Sequence, residues 1–163
     1  MIALITSYNL FIVMIPLRKI TRLRLLEIVS RVALFKPFSI EQRELFLDHA
    51  KCYQCKSGQF VQKEGEQNAD FFLVLAGQVE VSKHGKSLGT IEAGQFIGES
   101  SFIHHRPKSA SARATQDSIV LCMDKDSLKG LPIGVKDKFK DAIIDGMAER
   151  ISYLNSRIEQ LTK

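Results

Sequence analysis

Apolar residues near the start of the chain follow a helical period. Between residues 19 and 34 they recur close to the spacing of one helix face. These residues are Ile20, Leu23, Leu26, Ile28, Val29, Val32 and Ala33. Lys36-Pro37-Phe38 ends the pattern, because proline cannot donate a main-chain hydrogen bond inside a helix. Residues 19–34 are therefore predicted to be helical.

A second helix is predicted over residues 40–50. Ser39 is a suitable N-cap, and Gln42 three residues later completes a capping box. The side chains expected to be buried on this helix are Leu45 and Phe46, with His49 left open.

From Tyr53 to Met123 the pattern changes to short apolar runs separated by glycine. The intervals between glycines are typical of an antiparallel barrel or sandwich. The glycines are Gly58, Gly65, Gly77, Gly85, Gly89, Gly94 and Gly98. Strands are predicted at 59–63, 71–75, 79–83, 87–91 and 118–123. His84-Gly85 is predicted to form a tight hairpin turn.

The last part of the chain predicts a short helix over residues 125–131 and then, after Pro132-Ile133-Gly134, one long helix. Apolar residues in the long helix are spaced as the a and d positions of a heptad. They are Ile144, Met147, Ile151, Leu154, Ile158 and Leu161, here called the heptad seam. Such a stripe packs on the helix's own domain or on a second copy. The regular spacing favours a homodimer formed through this helix.

Charge adds little to this picture. The net charge is +5 over 163 residues, and much of the excess lies in one cluster opposed only by Glu27. The clustered residues are Arg18, Lys19, Arg22, Arg24 and Arg31. A surface for duplex nucleic acid is not indicated, because the rest of the chain is nearly balanced.

Residues 1–17 are uncharged and precede the basic cluster. They are shorter than the roughly 20 apolar residues of a membrane-spanning helix. A signal peptide would carry its positive charge before the apolar run. Three interpretations remain: a helix covering an apolar surface of the domain, a marginal membrane anchor with its basic side in the cytoplasm, or a natural start at Met14. We favour the first.

The chain has three cysteines, Cys52, Cys55 and Cys122, an odd number whose spacing shows no disulfide framework. The C-x-x-C spacing of the first two occurs in zinc and redox sites, but no second ligand pair follows. On a strand, positions three apart point to opposite faces. Free thiols are therefore expected, which favours a reducing compartment, the cytoplasm. No metal or other cofactor is expected.

No recognised catalytic motif appears, so an enzyme is not expected. His104-His105 lies in a turn, where exposure is more usual than catalysis.

Residues 96–114, FIGESSFIHHRPKSASARA, resemble the phosphate-binding cassette of the cyclic nucleotide-binding domain family. The family pattern runs F-G-E, a few apolar residues, a short variable turn, then R-[S/T/A]-A-x-x-x-A. LFKPFSIEQRELF resembles the helix leading into that domain, and GQFVQKEGEQNADFFLVLAGQVEV resembles its second to fourth strands. The resemblance covers roughly residues 32–131.

This resemblance implies a mainly β fold with flanking helices: an antiparallel, jelly-roll-like β-barrel with N-terminal helices and a long C-terminal helix. We expect an apolar then basic helical segment over 1–31, the barrel over 32–131 and the long helix over 132–163. Direct DNA binding is not expected, because related DNA-binding regulators carry a helix-turn-helix domain after the long helix.

The implied ligand is cyclic AMP or cyclic GMP. A cyclic phosphate taken out of water needs main-chain N–H donors and usually a cation. A short helix starting near Glu99 offers such donors. By resemblance, Glu99 accepts a hydrogen bond from the ribose 2′-hydroxyl, and Ser109 and the Ala110 amide hold the exocyclic phosphate oxygens. The whole predicted ligand-binding set is Gly98, Glu99, Ser100, Lys108, Ser109, Ala110, Ser111 and Asn155.

Lys108 stands where the family places its phosphate-binding arginine. Lysine keeps the charge but lacks the planar two-pronged donor of arginine. The lost hydrogen bond corresponds to about 1.5–3 kcal/mol, an affinity loss of roughly ten- to hundredfold. Arg106 is an alternative cation two residues earlier.

The base is less well specified. The family's long helix often covers the purine, which implies Tyr153, Leu154 and Asn155 as neighbours, and Ser111 as a contact to a guanine amino group. The sequence does not choose between the two nucleotides. The preferred function is a stand-alone sensor that couples ligand binding to movement of its C-terminal helix and to an unknown protein partner. The alternative is a ligand-free interaction or dimerisation module.

Overall fold

The computed structural model describes residues 14–17 and 20–162. Its α-helices are α1 (Arg22–Ser30), α2 (Ile40–His49), α3 (Glu99–His104), α4 (Lys125–Lys129) and α5 (Ile133–Leu161), with a 3₁₀ turn at Ala33–Phe35. Its strands are β1 (Ile15–Pro16), β2 (Lys51–Cys55), β3 (Phe60–Gln62), β4 (Phe71–Ala76), β5 (Gln78–Lys83), β6 (Lys86–Glu92), β7 (Phe96–Ile97), β8 (Ser111–Ala114) and β9 (Ser118–Met123).

The strands form two antiparallel sheets. The first has the order β1-β2-β9-β4-β7 and the second the order β3-β8-β5-β6. Strand β4 reads FFLVLA and is buried along nearly its whole length, as expected of a strand covered on both faces. The predicted mainly β architecture with helices before and after it is confirmed. The closed barrel and its jelly-roll form stay predictions.

The chain divides into two compact units. One unit contains both sheets and is built mainly from residues 51–125. Its core gathers side chains from both sheets, among them Val61, Val74, Val79 and Val120. The other unit combines residues 20–50 with the chain from residue 126 onward. The domain boundaries predicted at 31/32 and 131/132 stay a prediction.

The second unit is organised around an aromatic cluster. Phe46 lies 5.0 Å, between ring centroids, from both Phe35 and Phe139, and Phe38 lies 5.5 Å from Phe35. The rings meet edge-on or tilted, the arrangement that aromatic quadrupoles prefer. The cluster connects α2, the 3₁₀ turn and the first half of α5.

The helix predictions hold in part. The capping box of α2 is confirmed: Ser39 Oγ accepts from the Gln42 amide at 3.2 Å, and Gln42 Oε1 accepts from the Ser39 amide at 3.1 Å. The buried side of α2 is centred on Phe46 and Leu47, so Leu45 lies at its edge and is only half-buried. The helix predicted over 19–34 is shorter, because the chain leaves helical geometry at Val32 and makes the 3₁₀ turn.

The strand predictions are confirmed at all five places, although the short strands β1, β7 and β8 were missed. In β8, Ala112 and Ala114 are buried, and small residues give no clear hydrophobic alternation. Strand β7 is too short to show a period. The hairpin at His84-Gly85 is confirmed, with both residues at positive φ, 50° and 74°.

The arginines of the basic cluster that the structure describes form ion pairs with carboxylates. Arg22 pairs with Asp48 at 2.6 Å, and Arg24 and Arg31 both pair with Glu27, at 2.7 and 2.9 Å. Arg18 and Lys19 lie outside the described residues.

The predicted N-terminal helix falls largely outside the described residues, which begin at Met14. Where the structure describes this segment, it is a strand: Ile15 pairs with Gln54 and Pro16 with Tyr53. Met14 packs against the core of the first unit. Among the described helices, none combines the length and the apolar character needed to cross a membrane.

All three cysteines are free thiols. Cys55 and Cys122 are buried, and Cys52 is half-buried. Burial raises the pKa of Cys122 to about 12 and the pKa values of Cys52 and Cys55 to about 11. These thiols are therefore protonated and weakly reactive at neutral pH.

Candidate functional site

Residues 96–114 fold as a strand, a glycine, a short helix, a turn and a second strand. We call this segment the cassette. Gly98 joins β7 to α3 with φ of 91°, a left-handed conformation that favours glycine. A Cβ atom placed there would lie 2.5 Å from the main-chain oxygen of Asp70 and 2.9 Å from Nζ of Lys108. Gly98 therefore lets the cassette backbone approach the chain ahead of β4.

Helix α3 is fixed to Gly98 by two hydrogen bonds to one carbonyl. The Phe102 amide donates to Gly98 O at 3.0 Å, and Ser101 Oγ donates to the same oxygen at 3.0 Å. The Phe102 ring packs 5.8 Å from the Phe71 ring of β4. The predicted ligand residues Glu99 and Ser100 open this helix, Glu99 half-buried and Ser100 exposed.

Lys108 is buried, with only 2% of its surface exposed. Its ammonium donates to the main-chain oxygen of Asp70 and, at 2.8 Å, to Ser101 Oγ. Nζ also lies 5.5 Å from the centroid of the Phe72 ring. Burial lowers the pKa of Lys108, and the nearby Asp70 carboxylate opposes that effect. The lysine predicted to bind phosphate is thus bonded to oxygens of its own domain.

The main chain of Lys108 is held as firmly as its side chain. Its amide donates to Glu66 O at 2.9 Å, and its carbonyl accepts from the Gly65 amide at 2.8 Å. This pair of bonds joins the cassette to the turn between β3 and β4. A further hydrogen bond closes this turn: the Glu66 carboxylate accepts from the Lys63 amide at 3.0 Å.

Ser109 and Ala110 form a bend immediately before β8. Ser109 is exposed, whereas Ala110 is buried and its carbonyl accepts from Gln62 Nε2 at 2.9 Å. Ser111 Oγ accepts from the Glu64 amide at 2.9 Å, so this hydroxyl positions the neighbouring turn. Arg106 is exposed on the turn after α3.

Sequence reasoning missed Gln62 and Ser101. Both are at least 97% buried, and both surround Gly98 together with Lys108. Gln62 Oε1 is a buried atom with no hydrogen-bond partner in the described part of the chain. The sequence signal for Gln62 is weak: it is a polar residue that directly follows the apolar pair Phe60-Val61 in a predicted strand.

Asn155 lies on α5, in the second unit, and its side chain is exposed. Tyr153 and Leu154 beside it are 61% and 50% exposed. The roles of these residues toward a base stay predictions.

The family comparison covers the sheets and the cassette. Residues 53–132 match the family model described as the cyclic nucleotide-binding domain. This part of the chain belongs to the cyclic nucleotide-binding domain family. The resemblance drawn from the cassette residues is thereby confirmed.

The chain is also similar to parts of longer curated proteins. The chain is 25% identical over 132 residues to a cGMP-dependent protein kinase of Toxoplasma gondii, covering 81% of this chain and 13% of the kinase. It is 25% identical over 108 residues to the cAMP-dependent protein kinase type II regulatory subunit of Drosophila melanogaster, covering 66% of this chain and 29% of the subunit. The chain therefore spans less than a third of these relatives.

A solved cyclic nucleotide-binding domain from Methylobacillus flagellatus has the same fold. It superposes with a TM-score of 0.74 at 27% identity, over 85% of this chain and 82% of that chain.

Proposed function

We propose that this chain is a regulatory domain that binds cyclic AMP or cyclic GMP and transmits binding to its C-terminal helix, α5. The cassette carries the proposal. It lies inside the segment that matches the family, and its Gly98 turn, α3 and Ser109–Ala110 bend follow one another in the family's order. The two kinase-related proteins are named for cGMP and for cAMP, so both nucleotides are candidates.

Each part of the cassette has a role toward the nucleotide. Glu99, at the start of α3, would accept a hydrogen bond from the ribose 2′-hydroxyl. The Ser109 hydroxyl and the Ala110 amide would hold the phosphate oxygens, because the bend fixes both next to β8. The role we propose for these contacts is regulatory: they hold the nucleotide through hydrogen bonds.

Titration calorimetry with cyclic AMP and cyclic GMP tests the proposal. Saturable binding of at least one nucleotide is expected, and the tighter one is the signal. Glu99→Ala should weaken binding roughly ten- to hundredfold, the loss of a hydrogen bond to a charged acceptor. Glu92→Ala, an exposed carboxylate at the end of β6, is the matched control and should bind like the wild type. Absence of heat with both nucleotides would contradict the proposal.

The exposed part of α5 favours a second function, self-association. Of the heptad seam, Ile144, Ile151 and Ile158 are each close to 60% exposed, and Leu161 is 81% exposed. A contiguous apolar stripe of this kind marks a protein interaction site. We propose that a second copy of the chain covers it, either alongside nucleotide binding or, if the cassette binds no nucleotide, as the main role.

The proposed location is the cytoplasm, since three free thiols suit a reducing compartment. Contact of residues 1–17 with a membrane and the identity of a further protein partner stay predictions.

A further inference from the structure

Buried polar side chains are concentrated at one point of the first unit. Among the described residues, four polar side chains are buried: Gln62, Ser101, Lys108 and Ser118. The first three meet around Gly98. Removing a polar group from water is unfavourable unless it finds a hydrogen-bond partner. Three buried polar side chains around one glycine therefore indicate a specific polar network.

These residues surround the Lys108 ammonium with oxygen atoms. The ammonium donates to Asp70 O and Ser101 Oγ. A Cβ atom on Gly98 would lie 2.9 Å from Nζ and 3.2 Å from Gln62 Oε1, so these two atoms face the same small space. We call Asp70 O, Ser101 Oγ and Gln62 Oε1 the oxygen cage. Its atoms are a carbonyl, a hydroxyl and an amide oxygen, and all of them attract a cation.

The Ser101 hydroxyl is oriented as an acceptor. Its single hydrogen is donated to Gly98 O at 3.0 Å, which leaves its lone pairs for Lys108. Ser101 therefore connects the ammonium to the Gly98 turn that starts α3. A substitution at Ser101 would therefore remove hydrogen bonds both to Lys108 and to the Gly98 carbonyl.

Gln62 connects the cage to the phosphate side of the cassette. Its Nε2 donates to Ala110 O at 2.9 Å, on the bend proposed to hold the phosphate oxygens. Its Oε1 is available to the third N–H of the ammonium, since a lysine has three donors. The same amide thus contacts the bend and faces the cation.

We propose that Lys108 is a positioning residue whose ammonium stays in the oxygen cage of Gln62, Asp70 and Ser101, so that it orders the cassette instead of bonding the nucleotide phosphate directly. This rests on the proposed nucleotide binding. It extends that proposal by adding Gln62 and Ser101 to the residues that affect nucleotide affinity. The positive charge of Lys108 would attract the phosphate electrostatically without a direct bond. The ammonium would also help to keep the Ser109–Ala110 bend in place, because Gln62 contacts both.

Lys108→Arg separates this arrangement from direct contact. The cage is closely fitted, with Ser101 Oγ 2.8 Å from Nζ and Gly98 adjacent. A guanidinium is larger, so we expect the substitution to weaken nucleotide binding by roughly tenfold, the effect of one lost buried hydrogen bond. A lysine that bonds phosphate directly predicts the opposite, because arginine is the better phosphate ligand.

The pH dependence of affinity provides a readout that a purely structural role would not change. The groups facing Lys108 are the carboxylates of Asp70, Glu66 and Glu99 and the Cys122 thiol. Burial already lowers the pKa of Lys108, so the ammonium loses its proton at a lower pH than an exposed lysine. Affinity should fall as the pH rises through that pKa. Ser101→Ala and Gln62→Leu remove cage oxygens and should move this fall to lower pH.

Ser118→Ala is the matched control for Ser101→Ala. Ser118 is a serine of similar burial in the same unit, and its hydroxyl bonds to Gln116 O and to the Gln78 amide. It should lose stability without moving the pH profile.

Nitrogen NMR of the lysine ammonium groups tests the cage in the full chain without any ligand. One ammonium resonance should exchange slowly with water, disappear in Lys108→Arg, exchange faster in Ser101→Ala and stay unchanged in Ser118→Ala. Saturation with cyclic AMP or cyclic GMP should leave that resonance protected. Absence of a protected resonance, a phosphorus coupling after nucleotide addition, or tighter binding by Lys108→Arg overturns the proposal.

The two proposals fail in distinguishable ways. If neither nucleotide binds the wild type, the proposed function fails, and the role of Lys108 toward a phosphate fails with it. If a nucleotide binds but no protected ammonium exists, only the cage is wrong.

Discussion

At Gly98 two separate constraints act on one residue. Its φ of 91° is unfavourable for any side chain, and the position of a Cβ atom is already crowded by Asp70 O and Lys108 Nζ. Gly94 has the same φ of 91°, but a Cβ atom there would contact nothing within 4 Å. Comparing the two glycines therefore distinguishes the cost of a left-handed backbone from the cost of crowding at the Cβ position.

Gly94→Ala should lower the free energy of unfolding by about 1–2 kcal/mol, the cost of a left-handed residue with a side chain. Gly98→Ala should lower it by more, because main-chain oxygen cannot move aside as a flexible side chain can. Denaturant unfolding of both variants measures the difference. Equal losses would show that the contact with Asp70 is unimportant.

Residue identities in the cassette were predictable, but their surroundings were not. The family pattern pointed to Gly98, Glu99 and Lys108 by position in the sequence. It gave no indication that Lys108 would be buried, since lysine is rarely buried without a partner. The partner atoms, Asp70 O and Ser101 Oγ, lie 38 and 7 residues away along the chain.

Helix α5 changes character along its length. Its first half buries Val135, Phe139, Ala142 and Ile143. From Ile144 onward the described residues are exposed or half-buried, and the heptad seam lies in this part. Isoleucine occupies every a position of the seam, and methionine or leucine every d position. This combination favours a parallel coiled coil of two helices.

Ile151→Asp tests the seam. A carboxylate at the centre of an apolar helix interface should prevent dimerisation, because it would be buried without a partner. Sedimentation equilibrium should then give the monomer mass, while the wild type gives a dimer that dissociates on dilution. Ser152→Asp, with the new charge on the neighbouring b position, should keep the dimer. A wild-type monomer at all concentrations would contradict self-association.

At the scale of the whole molecule, the cassette and α5 belong to different compact units. Ligand binding can move α5 only if the nucleotide has different affinities for two arrangements of the protein. The proposed coupling would therefore be a thermodynamic property of the whole chain, and testing it requires a measurement on both units at once.

Hydrogen exchange with and without nucleotide measures this coupling. Amides around the Ser109–Ala110 bend should become more protected on binding. Exchange in α5 should also change, whereas α2, which contributes Phe46 to the aromatic cluster, should be less affected. Glu99→Ala at the same nucleotide concentration should show neither change. Protection confined to the cassette would retain the binding proposal and exclude the coupling to α5.

The sequence by itself determined several local elements of this protein. The capping box at Ser39, the hairpin at His84-Gly85 and the long helix α5 depend on residues within a few positions of one another. The cassette pattern likewise placed Gly98, Glu99 and Ser109 in order, because each follows from a short motif.

Only the tertiary structure decided what surrounds Lys108. Sheet pairing brings β3, β4 and the cassette together, so that Gln62 and Asp70 meet an ammonium far away in the chain, beside Ser101 of the cassette itself. Hydrophobic periodicity carries no information on such contacts, since it reports which face of an element is buried and not against which polar atom. The same physical limit explains why Gln62 was missed: its partners exist only after the strands have found their register.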